Sequence, residues 1–227
     1  MITDNNYLAV ITARAGSKGI PNKNIIDVNG EPLLVHTFKA VQGIDNVLPI
    51  LSTDSKQMAE IAEEHNISVP FMRPEELSTD MAPSVDVIRH AIDYYKERDI
   101  LFRAVITLQP TSPLRTKSHI KESIKLFEEH DSESLVSVYQ STDFNYTQVY
   151  RASGVSGQCL SDTHTRRQDL DNTYIRNGAI YITTLDYLLS QNRIFSNNPL
   201  LYVMSKQDSL DLNTLDDLEN LRNLLGN

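Results

Sequence analysis

The run Tyr7-Leu-Ala-Val-Ile-Thr-Ala13 constrains this chain more than any other feature. Apart from Thr12 it has no polar alternation, so it suits a strand covered on both faces, and such strands belong to parallel sheets sandwiched between helices. Short apolar runs of the same kind recur at 47–51, 69–72, 104–108, 135–139, 179–183 and 200–204. Helical spacing fills most of the gaps: Leu33, Leu34, Thr37, Phe38 and Val41 behind Pro32, then Met58, Ile61 and Ala62, then Val85, Ile88, Ala91, Ile92 and Tyr95, then Ile120, Ile124 and Phe127. Strands alternating with helices imply right-handed βαβ crossovers. The expected fold is a three-layer α/β/α, Rossmann-like domain with a mainly parallel sheet. At 227 residues the chain fits one such domain, 1–227.

The rhythm stops between Gln140 and Tyr174, where Ser, Thr, Asp and Gln dominate. So long a stretch without clear elements is more often a functional excursion or a subunit contact than a plain loop, and 140–176 is expected to be one. Near the end, Leu210-Asp211-Leu212-Asn213 alternates with period two, which puts Asp211 and Asn213 on one face of an extended segment. Thr214 and Asp217 then read as a capping box for a last helix on Leu215, Leu218, Leu221 and Leu225, stopped by Gly226. His65 and His130 fall at expected helix ends, a dipole role, and no histidine has zinc-motif spacing.

Charge and cysteine content narrow the partners. Thirty acids against 21 bases leave a net charge of −9, which disfavours binding to nucleic acid or to an anionic membrane through bulk charge. Cys159 is the single cysteine, so an internal disulfide and a cysteine metal cluster are excluded, and a reducing compartment, the cytoplasm, is expected. The start lacks a basic segment leading into a long apolar one, and no apolar run approaches the roughly 20 residues that span a bilayer.

Against that negative balance, the first strand-to-helix connection stands apart. From Asn5 to Ile26 there is no acid, while Arg14, Lys18 and Lys23 carry positive charge and Gly16 and Gly19 lie among them, in a chain with only 8 glycines. A loop at the carboxyl end of the first parallel strand sits where α/β sheets bind ligands, and its small residues let backbone N–H groups approach an anion. Phosphate binding is the expectation, with a solvated basic loop as the alternative. The spacing matches neither the P-loop nor the Gly-x-Gly-x-x-Gly fingerprint, which counts against a dinucleotide-dependent dehydrogenase.

The segment from Leu8 through Arg14-Ala-Gly-Ser17-Lys18-Gly19 to Lys23-Asn24 resembles the amino-terminal signature of the acylneuraminate cytidylyltransferases, the enzymes that make CMP-sialic acids. Further segments agree in the same order: Ser52-Thr53-Asp54, Arg73-Pro74, Leu108-Gln109-Pro110-Thr111-Ser112-Pro113-Leu114-Arg115, Asn177-Gly178-Ala179-Ile180-Tyr181 and 205–212. The resemblance implies a nucleotidyltransferase in which the anomeric hydroxyl of a nine-carbon 2-keto sugar acid attacks the α-phosphate of CTP, with Mg²⁺ as cofactor and pyrophosphate leaving. It implies that Arg14 and Ser17 hold the triphosphate, that Lys18 and Lys23 neutralise it, and that Asn24, Arg73 and Ser84 seat the cytidine. Gln109, Arg167, Arg176, Asn177, Tyr181 and Phe195 would form the sugar site, and Asp211 with Asn213 the metal site. A homodimer is also implied, in which the excursion packs on the partner and lends residues to the sugar pocket.

Two departures bear on the chemistry. The family pattern Asp-x-Asp reads Asp211-Leu-Asn213 here, so the second position can offer a carboxamide oxygen but no charge; a weaker metal site resting on Asp211 is expected, with Asp208, Asp216 and Asp217 as nearby alternatives. The arginine that often stands two places before Asn-Gly is moved by one, to Arg176, and no lysine lies between Gln140 and Tyr150. Arg167 and Arg176 therefore become the candidate partners of the sugar carboxylate. These changes leave N-acetylneuraminate, legionaminate or a relative open as substrate. The rivals are activation of the eight-carbon acid Kdo and a nucleotide-binding regulatory domain without turnover.

Overall fold

The computed structural model describes residues 7–16, 19–141, 149–153, 155–159 and 172–226. Strand β1 (Tyr7–Thr12) leads through a 3-10 turn (Lys23–Ile25) and the short ribbon β2 (Asp27–Val28) and β3 (Glu31–Pro32) into helix α1 (Leu33–Val41). There follow β4 (Val47–Ser52), α2 (Lys56–Glu64), α3 (Ser84–Lys96), β5 (Ala104–Leu108), α4 (Lys117–Glu129) and β6 (Ser134–Ser141). A hairpin of β7 (Tyr150–Ser153) and β8 (Ser156–Cys159) belongs to the excursion, and β9 (Thr173–Thr184), α5 (Leu185–Gln191), β10 (Leu200–Met204) and α6 (Leu215–Leu225) come last.

Six strands form the central sheet in the order β10-β6-β9-β5-β1-β4. Both faces are covered, as the unbroken apolar character of β1 requires. Tyr7, Ala9 and Ile11 pack against Leu34 and Phe38 of α1, Met58 of α2 and Phe127 of α4, whereas Leu8 and Val10 meet Ile88 and Ile92 of α3 and Leu188 of α5. Each large apolar side chain so buried contributes roughly 1.5–3 kcal/mol, so a charge placed in β1 would disrupt both layers at once. A third apolar cluster, Ile20, Val28, Leu33, Leu212, Leu218 and Leu221, fastens α6 over the β2–β3 ribbon.

The α/β/α expectation holds, with local differences. No strand forms at 69–72: isolated bridges Ile50–Ser68 and Thr53–Met72 lie at its two ends, one to β4 and one to the residue after β4, and Pro70 lacks the N–H that a continuous ladder needs. β9 begins at Thr173 rather than near 179 and is antiparallel to both β5 and β6, because the chain leaves β6 through the excursion and returns beside it. Its register with β6 shifts between Val136 and Val138, and Gly178 adopts φ +76° in the same stretch of β9, the backbone signature of a bulge. The β6–β9 ladder reaches Ser141 and Thr173, so both ends of 140–176 are strand, and the β7–β8 hairpin pairs outside the main sheet. Finally, 210–213 forms no strand and joins no ladder; its alternation is nevertheless real, with Leu212 buried and Asp211 and Asn213 exposed.

The expected helix ends are in place. Thr214 accepts from the Asp217 N–H while the Asp217 carboxylate accepts from the Thr214 N–H, closing the capping box of α6, and His65 and His130 are the C-terminal caps of α2 and α4. Among the described residues, no helix is long and apolar enough to cross a membrane.

Candidate active site

A cleft of about 580 Å³ opens beyond the carboxyl ends of β1 and β5 and gathers Arg14, Lys23, Asn24, Arg73, Gln109 and Asp211 in one lining. The basic loop is built from its backbone outward. Ala15 donates its N–H to Asp54 Oδ1 at 2.8 Å, and the Asn24 carboxamide, 6% exposed, donates to the Arg14 carbonyl at 3.0 Å. So held, the Arg14 guanidinium projects across the cleft, where it forms an ion pair with Asp80 and approaches the Ser78 carbonyl at 3.5 Å.

Lys23 stands at the start of the 3-10 turn and donates from Nζ to the Leu212 carbonyl at 2.8 Å. Burial pulls its pKa below the usual lysine value; neighbouring Asp211 opposes the fall and Arg14 adds to it. The 210–213 segment is docked by the Leu212 N–H on the Thr111 carbonyl at 2.8 Å. There the Asn213 carboxamide donates to Asp211 Oδ2 at 2.8 Å, so in this arrangement it holds the carboxylate. The backbones of the two segments are in close approach. A Cβ on Gly19 would lie 2.7 Å from the Asn213 carbonyl oxygen, so only glycine fits.

Arg73 follows the bridge to Thr53 and is 7% exposed; Nε donates to Ser52 Oγ at 3.1 Å and Nη2 to the Ser52 carbonyl. Burial lowers its pKa to about 10, against the pull of Asp54 and with the push of Arg14, so it stays charged at neutral pH. Ser84, the first residue of α3, lines the cleft and also an adjoining apolar pocket of about 360 Å³ that contains Val85, Ile194 and Phe195.

The residues expected at the sugar divide. Gln109 lines the cleft, with its Oε1 against Gly178. Phe195 lies in the adjoining pocket, stacked on Tyr181 with ring centroids 5.8 Å apart, and the Arg176 guanidinium sits 4.3 Å from the Phe195 ring centre. Asn177 does not line the cleft: it is 4% exposed, its carboxamide accepts from Ser137 Oγ at 2.6 Å and the Ala179 N–H at 3.1 Å, and it donates to Ser209 Oγ at 2.8 Å and Met204 Sδ at 3.2 Å. Every donor and acceptor of that side chain is engaged inside the protein, so here it ties β9 to β6 and to the 205–209 turn.

Ser17, Lys18 and Arg167 lie outside the described residues. Of the alternative acids, Asp217 belongs to the cap; although partial burial pushes its pKa up, hydrogen bonds from Asn213 and Thr214 bring it below the usual carboxylate range. Asp208 is held by Ser205 Oγ at 2.7 Å and lies 3.8 Å from His119 Nε2. Asp80 carries no signal in the sequence, being an acid in an irregular segment with no periodic neighbour to mark it. The Ser52-Thr53-Asp54 motif is visible in the sequence, but the task of Asp54, anchoring the basic loop, is not. Among the described residues, no group of three His, Cys, Asp or Glu side chains is placed to hold a metal.

Residues 8–207 match a family model described as Cytidylyltransferase. The chain is 36% identical over 217 residues to an N-acylneuraminate cytidylyltransferase of Streptococcus agalactiae, covering 92% of this chain and 51% of that protein. It thus spans about half the length of the first curated relatives it matches. A pseudaminic acid cytidylyltransferase of Campylobacter jejuni is 31% identical over 220 residues, covering 93% of each. A solved structure of CMP:2-keto-3-deoxy-manno-octonic acid synthetase complexed with CTP has the same fold, with a TM-score of 0.71 at 14% identity over 97% of this chain and 98% of that one.

Proposed function

The chain belongs to the cytidylyltransferase family, and from that premise we propose that it transfers CMP from CTP to the anomeric hydroxyl of a nonulosonic acid, N-acetylneuraminate or a relative, with release of pyrophosphate. The observation that carries this reading is the convergence of Arg14, Lys23, Arg73, Gln109 and Asp211 on one cleft at the carboxyl edge of the sheet. In an otherwise anionic chain, that cleft offers Arg14 and Lys23 to a triphosphate, with Arg73 buried beside them. The relatives named for sialic and pseudaminic acids support the nonulosonic class without selecting one member.

Transfer of a nucleotidyl group asks for alignment and charge neutralisation more than for a covalent protein intermediate. Arg14 exchanges Asp80 for the triphosphate, and Lys23 neutralises charge as it collects on the leaving pyrophosphate. Arg73 and Asn24 seat the nucleoside between the two strand ends, while Gln109 orients the sugar acid so that its anomeric hydroxyl faces the α-phosphorus. The adjoining pocket, with Phe195 on Tyr181, offers an apolar wall to the sugar's substituents.

Mg²⁺ fits the donor set in a restricted way. Asp211 would supply one carboxylate and Asn213 a carboxamide oxygen, few protein donors, as suits an ion that shares its ligands with phosphates and water; the bound ion would neutralise phosphate charge. Asn213→Asp restores a second carboxylate and is expected to lower the Mg²⁺ concentration for half-maximal activity by about three- to tenfold. Calorimetric binding of CTP at graded Mg²⁺ should shift in step, and coincident titrations would refute the weaker site.

The lowered pKa of Lys23 sets an alkaline limit. Its charged form is the working form, and it loses its proton at a lower pH than an ordinary lysine. Activity should therefore fall on the alkaline side earlier than a free lysine would dictate, and Lys23→Arg should move that limb upward in a pH–rate profile. An unmoved limb assigns it to another group.

A cytoplasmic homodimer completes the proposal. Tyr150 and Val155 on the excursion hairpin are 62% and 111% exposed, apolar surface that a partner would cover. The test of the whole reading is incubation with CTP, Mg²⁺ and, in turn, N-acetylneuraminate, legionaminate, pseudaminate and Kdo. Pyrophosphate and a CMP-sugar should appear with a nine-carbon acid; no release with any of the four leaves a nucleotide-binding regulator.

A further inference from the structure

Arg115 is a buried cation that the proposed mechanism leaves unused. It is 2% exposed and, among the described residues, pairs with no carboxylate. Its Nη1 donates to the Gln109 carbonyl at 3.1 Å and to the Ala179 carbonyl at 2.7 Å, and Nη2 donates to Thr37 Oγ1 at 2.6 Å, while Nε has no partner. One planar group thereby joins the end of β5, the middle of β9 and the helix α1. Burial alone lowers its pKa, to about 9, so the guanidinium stays charged at neutral pH.

A charge in such a place is costly to desolvate, and what it receives in return is not an ion pair but three acceptors on three separate segments. Holding those segments together stabilises the fold and at the same time fixes the Gln109 backbone. A second constraint meets the same residue from the other side. Gly178 has φ +76°, and a Cβ on it would stand 3.1 Å from Gln109 Oε1. Gln109 is held by its carbonyl through Arg115, and its carboxamide lies over the bare Cα of Gly178, where a side chain would crowd it.

We infer that Arg115 is a positioning residue for the sugar acid: it locks the Gln109 carbonyl to β9, so that the Gln109 carboxamide reaches the cleft over Gly178 in one orientation. The inference rests on the reading of Gln109 as a sugar contact. Because the nucleotide side of the cleft is built from Arg14, Lys23 and Arg73 on other segments, losing Arg115 should separate the two substrates. A displacement of Gln109 by about 1 Å is the kind of change that costs one to two orders of magnitude.

Arg115→Met is the test, read by steady-state kinetics with each substrate varied and by thermal denaturation. The expected result is a KM for the sugar acid raised about tenfold and a KM for CTP within about twofold, with Tm lowered by several degrees as the buried acceptors lose their donor and Arg115→Lys recovering part of the loss. Equal rises in both KM values, or an unmoved KM for the sugar acid, would overturn the inference. A readout independent of turnover is the side-chain amide signal of Gln109 in ¹⁵N–¹H spectra, assigned through Gln109→Leu. It should shift or split in Arg115→Met, and an unchanged signal overturns the positioning role. If the native protein turns over no acid, the proposed function fails while this spectrum still decides the Arg115–Gln109 link. Should Arg115→Met not fold, Thr37→Val removes one acceptor of the same guanidinium and is read the same way.

Discussion

Arg14→Ala is expected to lower kcat/KM for CTP by about 10²- to 10³-fold, the loss typical of removing one preorganised group that faces developing negative charge. The fold should not notice. Arg14 and Asp80 have side chains 30% and 32% exposed, and ion pairs so placed contribute at most about 1 kcal/mol, which moves Tm by roughly 2–4 °C in a chain of this size. Steady-state kinetics alongside a melting curve separates the two effects. Retained turnover would mean that the basic loop does not grip the phosphates. The converse substitution sharpens the point: Asp80→Asn removes the competitor for Arg14, and KM for CTP should fall by about two- to fivefold.

Gly19→Ala tests the other half of the cleft. The new Cβ would stand 2.7 Å from the Asn213 carbonyl oxygen, a separation real structures do not sustain, so one backbone must move. Asn213 is the less free to yield, because its N–H donates to Asp217 Oδ2 at 3.0 Å beside the capping box, and Leu212 is bonded on both its N–H and its carbonyl. The basic loop gives instead, carrying Lys23 away from Asp211. A shift of this kind costs about 10² in kcat/KM, with only a modest fall in Tm. Wild-type kinetics in Gly19→Ala would show that the contact between the two segments has no catalytic consequence.

Much of this site could be read along the chain because its chemistry is concentrated in short contiguous stretches. The acid-free segment around Arg14 and Lys23, the turn after β5 with Gln109, and the alternation at 210–213 each carry a local signal. What could not be read has local reasons too. A run such as 69–72 satisfies the apolar pattern of a strand, yet Pro70 interrupts the ladder, and that is a matter of one missing donor, not of hydrophobicity. Asn177 sits in a motif with Tyr181, and nothing in the spacing shows that its carboxamide faces inward to Ser137 and Ser209. The antiparallel course of β9 is equally hidden, because a doubly covered strand reads the same in either direction.

The chain by itself determined the layered α/β architecture and the presence of a cationic loop at a strand's end, since hydrophobic period and local charge are properties of neighbouring residues. Only the tertiary structure decided that Arg14 faces Asp80, that Gly19 touches Asn213 and that Arg115 reaches Gln109, Ala179 and Thr37. Those pairings join segments from 6 to 194 positions apart, and their worth depends on how burial and close packing bring polar groups into contact, which no reading along the chain contains.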